Sequence, residues 1–364
     1  MYLKNILLYN FKNFRETEIS FCDGLNCFVG HNGAGKTNLL DAIHYLSLTK
    51  SYFGSLDTQN IFHGEENFSI TGKYNDVSVQ CIQKKGVRKI MRLDGKAYDK
   101  MASHIGKIPL IMIAPQDEEL IIGGSDLRRK FIDVILSQLN HNYLEHLILY
   151  NGVLAQRNAL LKQDVIDASL MELFDEGLIS HGKIIFEERK KFMEIFFPVF
   201  EKYYEKMSAG IEKVSIIYSS PLNENSFEDI LLRNADRDRF LQYTTSGIHK
   251  DDLDFLMDGY HVRKTGSQGQ QKSFLLALRL AQWEVMATQM KVKPLLLLDD
   301  IFDKLDVERS KHLMLLLTLG QLGQIFISDT DKNRIENFIL QEKNREHRVF
   351  SIDNGIVTED CGNV

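Results

Sequence analysis

The sequence predicts an α/β fold built on a phosphate-binding loop, with a helical arm inserted into it. Three observations carry the prediction. Residues 30–37 read G-H-N-G-A-G-K-T. Residues 295–300 read L-L-L-L-D-D, an apolar run that ends in two acids. Between these stretches, residues 127–161 and 167–196 place apolar side chains at three- and four-residue steps, the spacing of helices with one buried face.

The loop stretch fits G-x-x-x-x-G-K-[ST]. Gly30, Gly33 and Gly35 let the backbone turn with its N–H groups inward, where a Cβ would collide. Those groups and the start of the next helix form a cradle for anionic oxygens. His31, Asn32, Ala34 and Asn38 complete the loop and the helix entry. Lys36 is expected on the β- and γ-phosphates of a bound nucleotide, and the Thr37 hydroxyl on its magnesium ion. The flanking sequence has the required order: an apolar strand at 25–29 and a helical pattern from Asn38 to Leu46.

The chain has 364 residues, enough for two domains or for one large domain with an insertion. A net charge of −6 gives no global sign of nucleic-acid binding, so any such surface is expected to be local. No apolar stretch approaches the roughly 18 residues of a membrane span. The start of the chain runs directly into a strand pattern and lacks a signal-peptide layout. Cys22, Cys27, Cys81 and Cys361 form no CxxC pair and are read as small hydrophobes of a reduced, cytoplasmic protein.

In order, residues 2–9 and 18–21 read as strands before the loop. Residues 68–93 form three short β-type runs separated by Asn75 and Asp76, by Lys85 and Gly86, and before Asp94 and Gly95, an antiparallel meander. The meander carries Lys84, Lys85, Arg88, Lys89, Arg92 and Lys96. Either this is a solvated sheet face, or it contacts phosphates. Residues 108–114 form another apolar strand, and Gln116 just beyond it is placed to touch a nucleotide's magnesium or its attacking water. Gly123 and Gly124 break the chain, and Ser125 or Asp126 caps the first arm helix. Two helical stretches joined near 162–167 imply an antiparallel arm, with Pro198 interrupting or kinking the second. Near 211–218 the pattern returns to β. The expected division is a head from 1–123 and 210–364, and an arm from 124–209.

The acidic strand is the companion of the phosphate loop. Asp299 is expected to hold the magnesium opposite Thr37, and Asp300 to reach the attacking water. The two half-sites lie nearly the whole chain apart, so the head closes across the arm. Ser267, Gln268, Gly269 and Gln270 precede a helical run, a second anion site at a helix N-terminus. That site suits a nucleotide presented by another subunit.

Taken together, phosphate loop, Gln116, residues 267–270, acidic strand and the turn at Lys304, Leu305 and Asp306 resemble the ABC-type ATPase heads of the SMC superfamily. The order matches over nearly the whole chain, and the predicted class is an ABC-type P-loop ATPase head with an inserted helical arm. More narrowly, residues 30–43, 114–133, 246–253, 267–272 and 295–306 resemble the RecF family of bacterial recombination mediators. Long-coil SMC proteins need far more chain and a hinge or zinc hook.

The resemblance implies ATP and Mg2+ as cofactors and a homodimer formed head to head when ATP is bound. Residues 267–270 then act as the signature on the partner's γ-phosphate, and Lys304, Leu305 and Asp306 as the D-loop. It implies binding to DNA at junctions of single and double strands, cooperation with RecR and RecO, assistance in loading RecA, and weak ATP hydrolysis used as a switch. Asp300 stands where many ABC ATPases carry Glu. Ser328, Asp329 and Thr330 occupy the place of their switch histidine. His249 matches a motif residue of the family, or is a structural hydrogen-bonder. For DNA, the candidates are Lys84, Lys85, Arg88, Lys89 and Arg92, with Arg128, Arg129 and Lys130. Arg128 and Arg129 serve equally well at the ATP site or at the junction of head and arm. The alternative class is an ABC-type ATPase subunit of a nuclease or defence system. No metal-nuclease cluster or membrane-coupling segment is visible in the sequence to support it.

Overall fold

Alternation and apolar runs set the strands, and caps and turns set their limits. The computed structural model describes residues 1–54, 56–208, 210–302, 322–341 and 346–360, with single positions from 310 to 317. The expected D-loop residues Lys304, Leu305 and Asp306 lie outside the described residues, as does Cys361.

The chain begins with a hairpin, β1 (Leu3–Phe11) and β2 (Phe14–Ser20), and continues through β3 (Leu25–Val29) into α1 (Lys36–Leu48). The meander is β4 (Asn67–Tyr74), β5 (Ser78–Lys84), β6 (Ile90–Leu93) and β7 (Lys96–Ala97), followed by β8 (Leu110–Ile113). Helices α2 (Glu119–Ile122), α3 (Ser125–Leu139), α4 (His141–Leu160) and α5 (Ala168–Ser208) come next. Then come β9 (Val214–Ser219), α6 (Phe227–Leu241), β10 (Asp252–Met257), β11 (Tyr260–His261), α7 (Val262–Thr265) and α8 (Gln268–Met290). The chain closes with β12 (Leu295–Asp299), β13 (Ile325–Asp329), α9 (Lys332–Gln341), β14 (His347–Asp353) and β15 (Ile356–Glu359).

Two compact units result: residues 1–117 with 282–364, and residues 118–281. The first holds two six-stranded sheets, ordered β2-β1-β4-β5-β6-β7 and β15-β14-β3-β13-β12-β8. The first sheet is antiparallel, and its strands alternate buried and exposed residues, as one covered face requires. In the second, β3, β12 and β13 are buried at every residue and pair in parallel, matching runs that are mostly apolar, with Asn26, Ser328 and Asp329 the buried polar residues of β3 and β13. Helix α1 touches strands of both sheets and is buried along nearly its whole length. Ala42, Tyr45 and Leu48 are buried as well as Leu39, Leu40, Ile43 and Leu46, so apolar residues lie around the helix rather than along one stripe. Phe21, Phe28, Phe326 and Phe350 form an aromatic cluster beneath this layer, with Phe21 and Phe326 edge to face at 5.0 Å. Cys22, Cys27 and Cys81 are free thiols in the interior, and burial pushes the Cys81 thiol up to about 12.

Residues 124–209, expected as the arm, and residues 210–281, expected in the head, cluster together in the second unit. The reason is electrostatic as well as apolar. Arg189 on α5 is buried, and its Nη1 donates to Asp251 at 2.7 Å and to the Ile248 carbonyl at 2.8 Å. Its Nη2 donates to Asp133 at 2.8 Å. Arg157 on α4 donates to Asp175 at 2.6 Å, Asp238 at 2.7 Å and Thr244 at 2.9 Å. Buried guanidinium groups need such partners, so arm helices and residues 238–251 are held as one body. The first arm stretch is two helices, because Asn140 is extended and its side chain accepts from Tyr143 N. Helix α5 runs through Pro198 without ending, and its 41 residues reach about 60 Å.

His249 is a hydrogen-bonder within this unit. Its Nε2 lies 3.0 Å from the Thr244 carbonyl, which can only accept, so the neutral ring carries its proton there and Nδ1 accepts from Tyr150 Oη at 2.8 Å. Burial moves its pKa from the ordinary 6.5 down to about 4. Between these values the unfolded chain binds a proton that the folded one does not, so stability falls as pH drops through the window. His249→Gln is expected to flatten the decline in melting temperature between pH 7 and pH 4.5, measured by differential scanning calorimetry. A variant whose pH profile parallels the parent's would assign the decline to other groups.

Candidate nucleotide-binding site

The site lies at the carboxyl ends of β3, β13 and β12, where open parallel sheets place their ligands. The register does the first part of the work. Phe28 and Asp299 both pair with Ser328, so the strand entering the glycine loop and the acidic strand flank one serine. β8 lies on the far side of β12, with Ile113 opposite Leu298.

The glycine requirement is concrete at two positions. A Cβ on Gly30 would stand 2.3 Å from the Ile352 carbonyl oxygen. Gly35 has φ +120°, and a Cβ there would meet Asn13 Nδ2 at 2.4 Å. Lys36 is buried, and its ammonium folds back to donate to the Gly30 carbonyl at 2.8 Å and the His31 carbonyl at 3.1 Å. His31 and Asn32 are exposed at the tip of the loop. Asn38, in the first turn of α1, donates to Asn13 Oδ1 at 2.8 Å.

Thr37 and Asp299, brought together from opposite ends of the chain, are in contact. Thr37 Oγ1 donates toward the Asp299 carboxylate, 3.0 Å from Oδ1 and 2.9 Å from Oδ2. Ser328 Oγ donates to Asp299 Oδ1 at 2.5 Å. Burial raises the Asp299 pKa above the ordinary carboxylate range, although Ser328, Thr37 and Lys36 pull the other way. A buried carboxylate with two hydroxyl donors beside a glycine loop has the donor set of a magnesium and phosphate site. Asp300 follows in the left-handed region at φ +44°, its N–H 3.1 Å from Ser328 Oγ. Gln116 is exposed in the turn Pro115–Glu118 beyond β8, while its neighbour Asp117 turns inward to accept from Ala114 N at 3.2 Å and from Tyr52 Oη.

In the other unit, residues 267–270 cap α8. Ser267 Oγ accepts from Gln270 N at 3.3 Å, and Gln270 Oε1 accepts from Ser267 N at 2.8 Å, a reciprocal capping box. Gln270 Nε2 also donates to Glu212 at 2.7 Å. Ser267 and Gln268 are exposed, and Gly269 is half-buried.

The basic candidates divide. Lys84, Lys85 and Arg88 are exposed, with Lys85 on Glu66 at 3.1 Å and Arg88 on the Asp99 carbonyl at 3.2 Å. Lys89 corrects the sequence reading: its ammonium turns inward to Asp57 at 2.7 Å, Tyr45 Oη at 2.9 Å and the Thr49 carbonyl at 2.5 Å. Arg92 donates to Gln80 at 3.2 Å. Arg128 is buried and bidentate on Asp252, at 2.6 and 3.1 Å, and Arg129 donates to the Asp251 carbonyl at 2.7 Å. Both serve the internal structure of their unit.

Sequence reasoning passed over Asn13, Lys12, Asp41 and Gly355, and it read Ser328 only as part of the segment in the place of a switch histidine, without its bond to Asp299. Lys12 pairs with buried Asp41 at 2.6 Å, and Asp41 also accepts from Ser51 Oγ and Tyr52 N, each at 2.7 Å. Gly355 N donates to the Ala34 carbonyl at 3.0 Å. Only the positions of Asn13 and Lys12 between Phe11 and Phe14 hinted at a turn; none of these residues belongs to the loop motif itself.

Fold and site together define an ABC-type ATPase head of the SMC class. The family described as RecF/RecN/SMC N terminal domain matches residues 2–358. The DNA replication and repair protein RecF of Flavobacterium johnsoniae is 47% identical over 360 residues, covering 97% of this chain and 100% of that one. That of Parabacteroides distasonis is 43% identical over 361 residues, covering 98% and 99%. A solved structure of the recombination mediator protein RecF with ATP, in the RecFOR pathway, superposes with a TM-score of 0.89 at 30% identity, covering 99% of this chain and 98% of that one. An SMC head bound to the C-winged helix domain of ScpA, at 17% identity and a TM-score of 0.58, shares the fold. The chain belongs to the RecF family of DNA replication and repair proteins.

The raised pKa of Asp299 has a measurable sign. The folded chain holds that proton more readily than the unfolded one, so this group's contribution to stability is lost as pH rises through the folded value. Asp299→Asn is expected to raise the melting temperature of the nucleotide-free protein at pH 8 by about 1–2 °C, with a smaller gain at about pH 4, near the ordinary carboxylate value. Calorimetry at the two pH values decides it. A lower melting temperature in the variant would mean that the hydroxyl bonds outweigh the burial cost.

Proposed function

We propose that this chain is an ATP-dependent, DNA-binding recombination mediator, in which weak ATP hydrolysis serves as a switch for assembly on DNA. The observation that carries this is the contact of Thr37 with Asp299 beside the Gly30 loop. In the proposal, N–H groups of residues 33–38 and Lys36 hold the phosphates, and Thr37 and Asp299 hold Mg2+, with Gln116 completing its shell or positioning water. Bound magnesium would neutralise phosphate charge as the γ-phosphoryl group leaves. Asp300 orients the attacking water. Its shorter side chain, where related ATPases carry Glu, suits slow turnover.

Residues 267–270 of one copy are proposed to cap the γ-phosphate bound by another, making dimerisation depend on ATP. The dipole of α8 and its first N–H groups favour an anion there. The exposed Lys84, Lys85 and Arg88 are proposed to contact DNA backbone at gaps or at junctions of single and double strands. The RecFOR pathway of the solved relative supports RecR and RecO as partners, and the proposal adds a role in loading RecA. Full-length similarity to repair proteins favours this reading over a nuclease or defence ATPase. Among the described residues no helix is long and apolar enough to cross a membrane.

Ser267→Arg tests the arrangement. The variant should bind ATP as a monomer within about twofold of the parent, yet fail to dimerise or hydrolyse. Sedimentation with ATP and nucleotide titration at high dilution separate the cases. A large loss of affinity in the diluted monomer would place residues 267–270 on the nucleotide of their own chain.

Replacing Lys84, Lys85 and Arg88 together by Glu should weaken binding to gapped DNA by at least about tenfold in low salt and reduce the salt slope by about three, with ATP-dependent dimerisation unchanged. An unchanged slope would make the meander a solvated face.

A further inference from the structure

We infer that Asn13 is a positioning residue that presets the phosphate loop for nucleotide. The inference rests on the reading of residues 30–38 as the nucleotide site. Asn13 stands in the turn between β1 and β2, outside every nucleotide motif in the chain. Its Nδ2 donates to the Ala34 carbonyl at 3.1 Å, and its Oδ1 accepts from Asn38 Nδ2 at 2.8 Å. A carbonyl can only accept, so the amide orientation is determined: NH2 toward the loop, oxygen toward α1. One side chain thus joins the loop's backbone to the first turn of its helix.

The same carbonyl is held from a second side, because Gly355 N in the turn between β14 and β15 donates to Ala34 O at 3.0 Å. The three segments meet without spare room. A Cβ on Gly355 would stand 2.3 Å from the Asn13 carbonyl oxygen, and one on Gly35 2.4 Å from Asn13 Nδ2. The turn that carries Asn13 is itself fixed. Phe11 and Phe14 on either side are fully buried. Lys12 N donates to the Asn60 carbonyl at 2.8 Å, and the Lys12 ammonium pairs with Asp41 at 2.6 Å.

The consequence follows from peptide geometry. In a planar trans peptide the C=O of Ala34 and the N–H of Gly35 point to opposite sides. Two donors fix the carbonyl outward, so the Gly35 N–H is aimed away from Asn13, into the concave side of the loop, before any anion arrives. Preorganisation of this kind appears as affinity, because the loop does not have to be ordered on binding.

The test uses the full chain and a fluorescent ATP analogue with Mg2+, read as nucleotide Kd, KM, kcat and melting temperature. Asn13→Ala should weaken nucleotide binding about tenfold and raise KM with little change in kcat. Asn13→Asp keeps the shape and the bond from Asn38 but faces a second acceptor toward Ala34 O, and should lose at least as much. Asn60→Ala, which removes a buried side chain that donates to the Leu56 carbonyl but keeps the Asn60 carbonyl that accepts from Lys12 N, should lower the melting temperature while holding Kd within about twofold. The inference is overturned if Asn13→Ala or Asn13→Asp binds nucleotide like the parent. It is also overturned if Asn60→Ala loses affinity in step with an equal loss of stability. Lys36→Ala separates this from the reading beneath it. If Lys36→Ala loses binding and the Asn13 variants do not, only the role of Asn13 fails; if Lys36→Ala binds like the parent, both fail.

Discussion

The structure depends on keeping a buried carboxylate, Asp299, in contact with a hydroxyl from the opposite end of the sequence. Three parallel strands achieve this by register alone: β3 delivers the loop and Thr37, β12 delivers Asp299, and β13 places Ser328 between them. A shift of one residue in any pairing would turn the strand's side chains to the other face and dissolve the contact. The buried, branched apolar faces of β3, β12 and β13 oppose such a shift. The energetic cost of burying Asp299 is thus held in place by a core built from Phe28, Leu297, Phe326 and their neighbours.

Helix α1 links that core to the loop. It is packed by both sheets, so the first turn, which carries Lys36, Thr37 and Asn38, cannot tilt independently of the strands. Lys36 rests on loop carbonyls at Gly30 and His31, neutral substitutes for phosphate oxygens that engage two of its three donors. Arrival of a triphosphate would exchange these bonds for charge-assisted ones, which are stronger. The protein holds its cation in reserve at modest cost, and the energy of ligand binding comes from the difference between the two sets of bonds.

Much of this was legible in the sequence, for identifiable reasons. The glycine loop and the acidic strand are contiguous motifs whose chemistry is fixed by residue type and spacing, and the flanking apolar runs gave β3, α1 and β12. The meander was legible through its turn residues. Residues acting across the fold were not. Asn13 and Gly355 meet the loop only after two hairpins close around it, and the bond from Ser328, read only as part of the segment in the place of a switch histidine, to Asp299 forms only when β13 is placed between β3 and β12. Lys89 reads as one of a run of exposed cations, yet Asp57 and Tyr45, distant along the chain, draw it inward. The grouping of residues 210–281 with the arm was equally hidden, since the ion pairs of Arg157 and Arg189 join positions far apart along the chain.

The two anion-binding features also differ in how ready they are. The loop of residues 30–37 is braced from outside by Asn13 and Gly355, with its carbonyls occupied by protein donors. The helix start at residues 267–270 instead satisfies itself, Ser267 and Gln270 each holding the other's N–H. A self-capped helix end gains little from a weak or diffuse anion, because its own side chains already supply the oxygen atoms. It gains from a concentrated charge such as a γ-phosphate that only a firmly bound nucleotide can present. In the proposed dimer this difference sets the order of events: nucleotide settles first in the braced loop, and the capped helix of a second copy follows.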